Sequence, residues 1–217
     1  MHCDSSLILY THPLSANGRK VMANVYLHKM DIDIRLVNVY QGEGQHPDYL
    51  KINPLGQIPA LVDKAAGITL RESNFIMMYL AQHDGRSHYY PPERRMEIIQ
   101  WLFWEAAQWQ PALCTILRGA VAHKLLPALF PKPVEEVDWD EPAASRMFAF
   151  LSHQLSKSKY LAGKQLTIAD LTVAGMMTYF RIANFPYDKY PAIRDWYCEI
   201  QALDAWQRSA SECWEIN

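Results

Sequence analysis

The sequence predicts a two-part chain, α/β in its N-terminal part and all-helical beyond it, and three observations carry that prediction. Residues 7–37 run from a short apolar stretch through a helix-spaced apolar stripe to a second apolar stretch, the pattern of a β-α-β unit. The stretch Asn53-Pro54-Leu55-Gly56-Gln57-Ile58-Pro59-Ala60-Leu61-Val62 sets two prolines and a glycine ahead of an apolar run, which excludes helix and predicts a turn entering a strand. Beyond residues 84–91 the apolar residues recur at helical spacing only.

In order, Leu7-Ile8-Leu9-Tyr10 is a buried strand that stops at the loop opening with Thr11-His12-Pro13. Val21, Met22, Val25 and Tyr26 mark a helix to about His28, and a second strand follows from Ile32 to Val37. A helical crossover makes these two strands parallel neighbours with a right-handed connection. Gln41 to Asp48 is a polar loop, and Pro59 to Asp63 pairs as a hairpin with Ile68-Thr69-Leu70 across the turn at 64–67. A helix from about Ser73 to His83 turns Phe75, Met78 and Tyr79 inward, with Met77 as a further candidate for that face. Pro59, at the first position of its strand, leaves one backbone edge unpaired. Since only about 5–6% of X-Pro bonds are cis, the stretch alone favours trans; a cis Ile58-Pro59 bond would turn the Ile58 backbone toward an extended peptide ligand.

The N-terminal domain spans 1–83 and the linker 84–91, where tandem prolines and small polar residues end both flanking helices. The helical domain covers 92–217. Ile98, Ile99, Leu102, Phe103 and Ala106 form one apolar face, and Phe148, Leu151 and Leu155 another after the proline-rich break at 127–142. Thr167-Ile168-Ala169-Asp170 reads as a capping box, with Leu166 and Leu171 at the positions of a hydrophobic staple. That spacing makes Asp170 a structural cap rather than a catalytic acid.

Half of the 217 residues are apolar, enough for a sizeable core, and a formal charge of −2 with scattered Lys and Arg supplies no basic stripe. Neither nucleic acid nor an anionic membrane is expected as a partner. The N-terminus lacks a basic segment followed by a long apolar one, so the expected location is the cytoplasm. Cys3, Cys114, Cys198 and Cys213 are widely separated and carry no metal-site spacing, which predicts reduced thiols and no metal.

Three motifs in this order, the stretch from Asn53 to Pro59, Arg71-Glu72-Ser73, and Tyr160-Leu161-Ala162-Gly163-Lys164 running into the capping box, resemble the cytosolic glutathione transferases over nearly the whole chain. The resemblance implies a thioredoxin-like glutathione-binding domain followed by an all-helical C-terminal domain, with glutathione as co-substrate and a homodimeric assembly. It implies a cis Pro59 that shapes the site while the Ile58 backbone pairs with the cysteinyl unit of glutathione. It also assigns Glu72 and Ser73 to the γ-glutamyl end and Gln57 to the glycyl end. Gln45 and His46 stand in a loop from which relatives reach the same glycyl carboxylate. Read as residues alone, Glu72 and Ser73 are a solvated acid beside a capping serine.

Catalysis in such proteins needs a donor aimed at the glutathione sulfur, because a thiol of pKa about 8.5 is only slightly ionised at neutral pH. Ser15, in the loop after the first strand, matches the serine of the phi and theta classes. Asn17-Gly18 with a nearby basic residue resembles the bacterial nu class, in which a threonine takes the place of Ser15. Either residue is also a natural helix N-cap, and the two roles are compatible. Tyr10 belongs to the strand, a poorer match to the tyrosine-type classes, and the loop has no cysteine of the beta or omega kind. His12 reads as an ordinary loop residue. Trp101, Trp104, Trp109 and Trp139 read as core, some of them as walls of an electrophile pocket. The expected function is attack of a glutathione thiolate on a hydrophobic electrophile. The alternatives are a nu-type glutathione-dependent disulfide reductase and a non-catalytic binding or regulatory protein on the same fold.

Overall fold

The computed structural model describes residues 5–85, 88–131 and 136–210. Contacts divide the chain into two compact units, one running to His88 and taken up again from Asp204, the other Tyr89–Leu203. Cys3, Cys213 and part of the expected linker lie outside the described residues.

The first unit is a thioredoxin-like layer of four strands, β1 (Leu7–Thr11), β2 (Asp33–Leu36), β3 (Ala60–Asp63) and β4 (Ile68–Leu70), in the order β2-β1-β3-β4. β1 pairs parallel with β2, Leu9 opposite Ile34, and antiparallel with β3, Leu9 opposite Leu61. The parallel pair follows from the helical crossover α1 (Ala16–Leu27), and the antiparallel β3–β4 pair from the short turn at 64–67. Asp63 fixes that turn by accepting from the Ala66 N–H at 2.9 Å and the Tyr79 hydroxyl at 2.5 Å.

The segment after β2, expected as a polar loop, is not open: it holds 3-10 turns at Val39–Gln41 and Glu43–Gln45 and the short helix α2 (Pro47–Leu50). After the hairpin, α3 (Ser73–Gln82) packs on α1, where the Asn24 amide donates to the Met77 carbonyl at 3.2 Å. Its buried face is Ile76, Met77, Leu80 and Ala81, whereas Phe75 is 48% exposed, so the inward placement of Phe75 is corrected.

The second unit is helical: α4 (Arg95–Trp104), a π turn at Glu105–Trp109, α5 (Gln110–Leu125), α6 (Pro142–Leu155), α7 (Ile168–Met177) and α8 (Pro191–Gln201). Its core is aromatic. Trp109 is fully buried, donates to the Val173 carbonyl at 3.1 Å and meets Phe148 edge-on, and Phe148 continues to Phe185 and Tyr190. On α4 the buried residues are Ile98, Trp101 and Leu102, while Phe103 is 70% exposed and Ala106 is also exposed, correcting the expected apolar face. The π turn inserts an extra residue into the helix and so resets the phase that buries Glu105 and Trp109.

The capping box at Thr167 and Asp170 is present, and every residue of α7 is buried. The Asp170 carboxylate accepts from the N–H groups of Thr167 and Leu161, each at 2.9 Å, and from the Trp196 indole at 3.0 Å. A buried acid with this many donors is a structural anchor for α7, α8 and the loop at Leu161.

The segment from Asp204, which the sequence pattern continues into the helical part, packs as α9 (Asp204–Arg208) against α1. Arg19 of α1 lies 4.4 Å over the Trp206 ring and donates to the Trp206 carbonyl at 3.3 Å, and Arg208 lies 4.4 Å over the Tyr26 ring.

Candidate active site

Every candidate binding or catalytic residue belongs to the first unit, and loops at one end of its sheet carry them. β1 ends at Thr11, the chain turns, and Ser15 becomes the N-cap of α1, its hydroxyl oxygen accepting from the Gly18 N–H at 3.1 Å. Ser15 in turn donates its N–H to the His12 carbonyl at 3.0 Å, and its own carbonyl accepts from the Arg19 N–H at 2.7 Å. A side chain at position 18 would strike the Thr11 hydroxyl and come within 2.7 Å of the His12 carbonyl, so only glycine lets helix and loop approach this closely. With its oxygen accepting the cap bond, the Ser15 hydroxyl proton is left to donate to a ligand.

Two residues far apart in sequence meet next: the Ser73 hydroxyl donates to Asn17 Oδ1 at 3.2 Å. Ser73 opens α3, a helix without a side-chain cap, so its first turn presents N–H groups and the positive end of its dipole. The preceding Glu72 is exposed and sits at φ 65°, a conformation that costs a non-glycine residue about 1–3 kcal/mol and that the surrounding structure must impose.

The Ile58-Pro59 bond is cis, and β3 begins only at Ala60, so Ile58 lies outside the strand ladder. Its predecessor is held tightly: the Gln57 carbonyl accepts from the Tyr49 hydroxyl at 2.6 Å and from the Asn53 amide at 2.7 Å. Burial pushes the Tyr49 phenol up to about 12, so it stays a protonated donor well into the alkaline range. Gly56, at φ +65°, lies against the Gly44 carbonyl and the Gln45 amide, where a side chain would collide with both.

Gln45 is thus drawn to the turn before Gln57, and the exposed Gln57 keeps its side chain in solvent. His46 caps α2, its Nδ1 accepting from the Asp48 N–H at 3.4 Å, and its exposed ring is turned to Asp48. Tyr10, Gln41, Gln45, His46, Tyr49 and Ile52 border a groove of about 830 Å³ in this region. Tyr49 is not among the residues expected from the sequence, and Asn53 is expected there only as the start of the proline-containing stretch. Asn53 had a detectable signal, since an asparagine before Pro54 is typical of a turn closed on its own side chain, and here its Oδ1 accepts from the Leu55 N–H at 3.1 Å. Tyr49 carried no such signal.

A four-stranded mixed sheet with α1 and α3, joined to a helical unit anchored at a capping box, is the architecture of the glutathione transferases. The chain belongs to the glutathione S-transferase family: residues 5–82 match its N-terminal domain and residues 111–204 its C-terminal domain. It is 28% identical over 206 residues to the disulfide-bond oxidoreductase YfcG of Escherichia coli, with 91% of each chain covered. A delta-class glutathione transferase of Nilaparvata lugens superposes with a TM-score of 0.81 at 25% identity over 96% of this chain and 95% of that one. Glutathione transferase URE2P8 of Phanerochaete chrysosporium, solved with oxidized glutathione, shares the fold with a TM-score of 0.76 at 23% identity, over 96% and 95% of the two chains. Family and fold together make this a glutathione-related enzyme.

Proposed function

We propose that the chain binds glutathione in its first unit and activates the thiolate for attack on a hydrophobic electrophile, with the Ser15 hydroxyl as the hydrogen-bond donor to the glutathione sulfur and Asn17 beside it. The hydrogen bond from Ser73 to Asn17 carries this reading, because it joins the loop with the candidate sulfur donor to the helix end suited to a carboxylate. The residues fit the ligand at each end. The uncapped first turn of α3 with Ser73 suits the γ-glutamyl carboxylate, and Glu72 suits its ammonium. The Ile58 backbone, steadied through Gln57, suits the cysteinyl unit, and Gln45, His46 and Gln57 suit the glycyl end. The thiol proton leaves to solvent, the sulfur forms a bond to the electrophilic carbon, and the leaving group departs with its electron pair.

A second reading has support in the similarity to YfcG, named a disulfide-bond oxidoreductase. There one glutathione thiolate would attack a disulfide, a second would resolve the mixed disulfide, and two thiols and oxidised glutathione would result. Purified protein assayed with an aryl halide and with a small disulfide, each with glutathione, tests the choice. Faster turnover of the aryl halide is expected, and turnover of the disulfide alone would replace the first reading with the second.

The proposal includes a cytoplasmic homodimer. Among the described residues no helix is long and apolar enough to cross a membrane. In the helical unit Met96, Phe103 and Phe150 are 79%, 70% and 48% exposed, and the two phenylalanines border a groove of about 840 Å³ that Trp101 and Trp104 also line. Apolar surface of this kind supports pairing with a second copy.

A further inference from the structure

His12 looks like a loop residue of no consequence, but two of its hydrogen bonds hold the turn into Ser15. Its Nδ1 accepts from the Leu14 N–H at 3.3 Å, and its carbonyl accepts from the Ser15 N–H at 3.0 Å. Its ring stands edge-on to Tyr40, with centroids 5.6 Å apart. Tyr40 lies in the segment that continues to Gln45 and His46, and that segment is itself tied locally, the Asn38 N–H donating to the Glu43 carboxylate at 2.6 Å. One side chain therefore links the loop that carries Ser15 to the segment that carries the candidate glycyl contacts. We propose that His12 is a positioning residue for thiolate activation: its neutral imidazole closes the turn at residues 13–15 through the Leu14 N–H and so fixes the direction of the Ser15 hydroxyl.

The bond to Leu14 requires an unprotonated Nδ1, since an imidazolium has only donors. Burial lowers the His12 pKa and the Glu43 carboxylate opposes that shift, leaving the ring below the ordinary histidine value. The groups that face it are Glu43 and the phenol of Tyr40 from the segment after β2; on α1, Arg19 is engaged with Trp206. The acceptor is intact at neutral pH, and it is lost as pH falls through the lowered His12 pKa. Acid should therefore loosen the loop around Ser15.

The inference rests on the role proposed above for Ser15, and two variants separate its parts. In His12→Asn the side-chain oxygen can accept the same N–H two residues ahead, as asparagine does in turns, while the ring contact with Tyr40 is lost. In His12→Phe the ring is kept and the acceptor removed. Glutathione binding is first established by calorimetry, and the bound thiolate is then followed against pH by its ultraviolet absorbance. His12→Phe should raise the bound-thiol pKa by about one unit, roughly tenfold less thiolate at a fixed pH below it, and His12→Asn should restore the wild-type value. An unchanged pKa in His12→Phe, or an equal rise in both variants, overturns the proposal. Hydrogen exchange at the Leu14 amide in the ligand-free protein supplies a readout independent of glutathione. Its protection should fall as the His12 ring titrates and be independent of that pH range in His12→Asn; a pH-independent Leu14 in the wild type overturns the His12 role even if glutathione binds. Absent glutathione binding with a pH-dependent Leu14 would overturn the glutathione reading and with it the thiolate part of this proposal, leaving only the closure of the turn by His12.

Discussion

Asn53 donates its side-chain amide to the carbonyl of Gln57 at 2.7 Å while its own Oδ1 accepts from the Leu55 N–H at 3.1 Å, so one buried residue fixes both ends of the turn before Ile58. Asn53→Ala removes both bonds and leaves Tyr49 as the remaining donor on that carbonyl. Stability should fall by about 1–3 kcal/mol, the worth of two hydrogen bonds at about 0.5–1.5 kcal/mol each, and glutathione affinity should fall with it. Urea unfolding together with calorimetry checks both. Wild-type affinity in the variant would show that the turn does not govern the Ile58 backbone.

Asp170 makes the stability of the helical unit depend on pH. Burial pushes its carboxyl from 3.8 up to about 6 against the opposing hydrogen bonds from Leu161, Thr167 and Trp196. The folded state therefore holds this proton more tightly than the unfolded state. Its stabilising contribution is fully present below pH about 4 and is lost as pH rises through about 6. Asp170→Asn should flatten that part of the stability profile while lowering stability by about 1–3 kcal/mol, because one acceptor becomes a donor among donors. Denaturant unfolding between these pH values checks it, and an unchanged slope in Asp170→Asn would assign the dependence to another group.

Much of this was legible in the sequence because the signals are local. The parallel β-α-β unit, the β3–β4 hairpin and the capping box each depend on residues close to one another along the chain. Phe75 and Phe103 were misplaced because α3 and α4 carry apolar residues on neighbouring faces, so spacing alone does not choose which face is covered. No residue type announces the π turn at Glu105–Trp109. In the candidate site the residues themselves could be named from motifs. Their meetings could not: Ser73 reaches Asn17 from 56 positions away, and Arg19 finds Trp206 at a separation of 187.

The exposed Phe103 should matter for assembly and little for the fold of the monomer, since a side chain that is 70% exposed gives little to the core. Phe103→Glu would set a charge in the apolar contact proposed for the homodimer and should move sedimentation at micromolar concentration from the proposed dimer toward monomer, with unfolding changed by no more than about 0.5 kcal/mol per chain after allowing for dissociation. A dimer as stable as the wild type would place the interface elsewhere.

In the proposed mechanism the Ser15 hydroxyl stabilises a glutathione thiolate. Its oxygen already accepts the cap bond from Gly18 at 3.1 Å, so the proton it would give the sulfur is the property under test. The direct measurement is the ultraviolet titration of the bound thiol in wild type, Ser15→Ala and Asn17→Ala. Ser15→Ala should leave glutathione affinity nearly unchanged and raise the bound-thiol pKa by about one unit or more, because the hydroxyl interacts mainly with the ionised sulfur. Asn17→Ala should shift it less. A titration in Ser15→Ala that overlays the wild type, with the shift appearing in Asn17→Ala instead, would remove Ser15 from the mechanism and make Asn17 the hydrogen-bond donor to the sulfur.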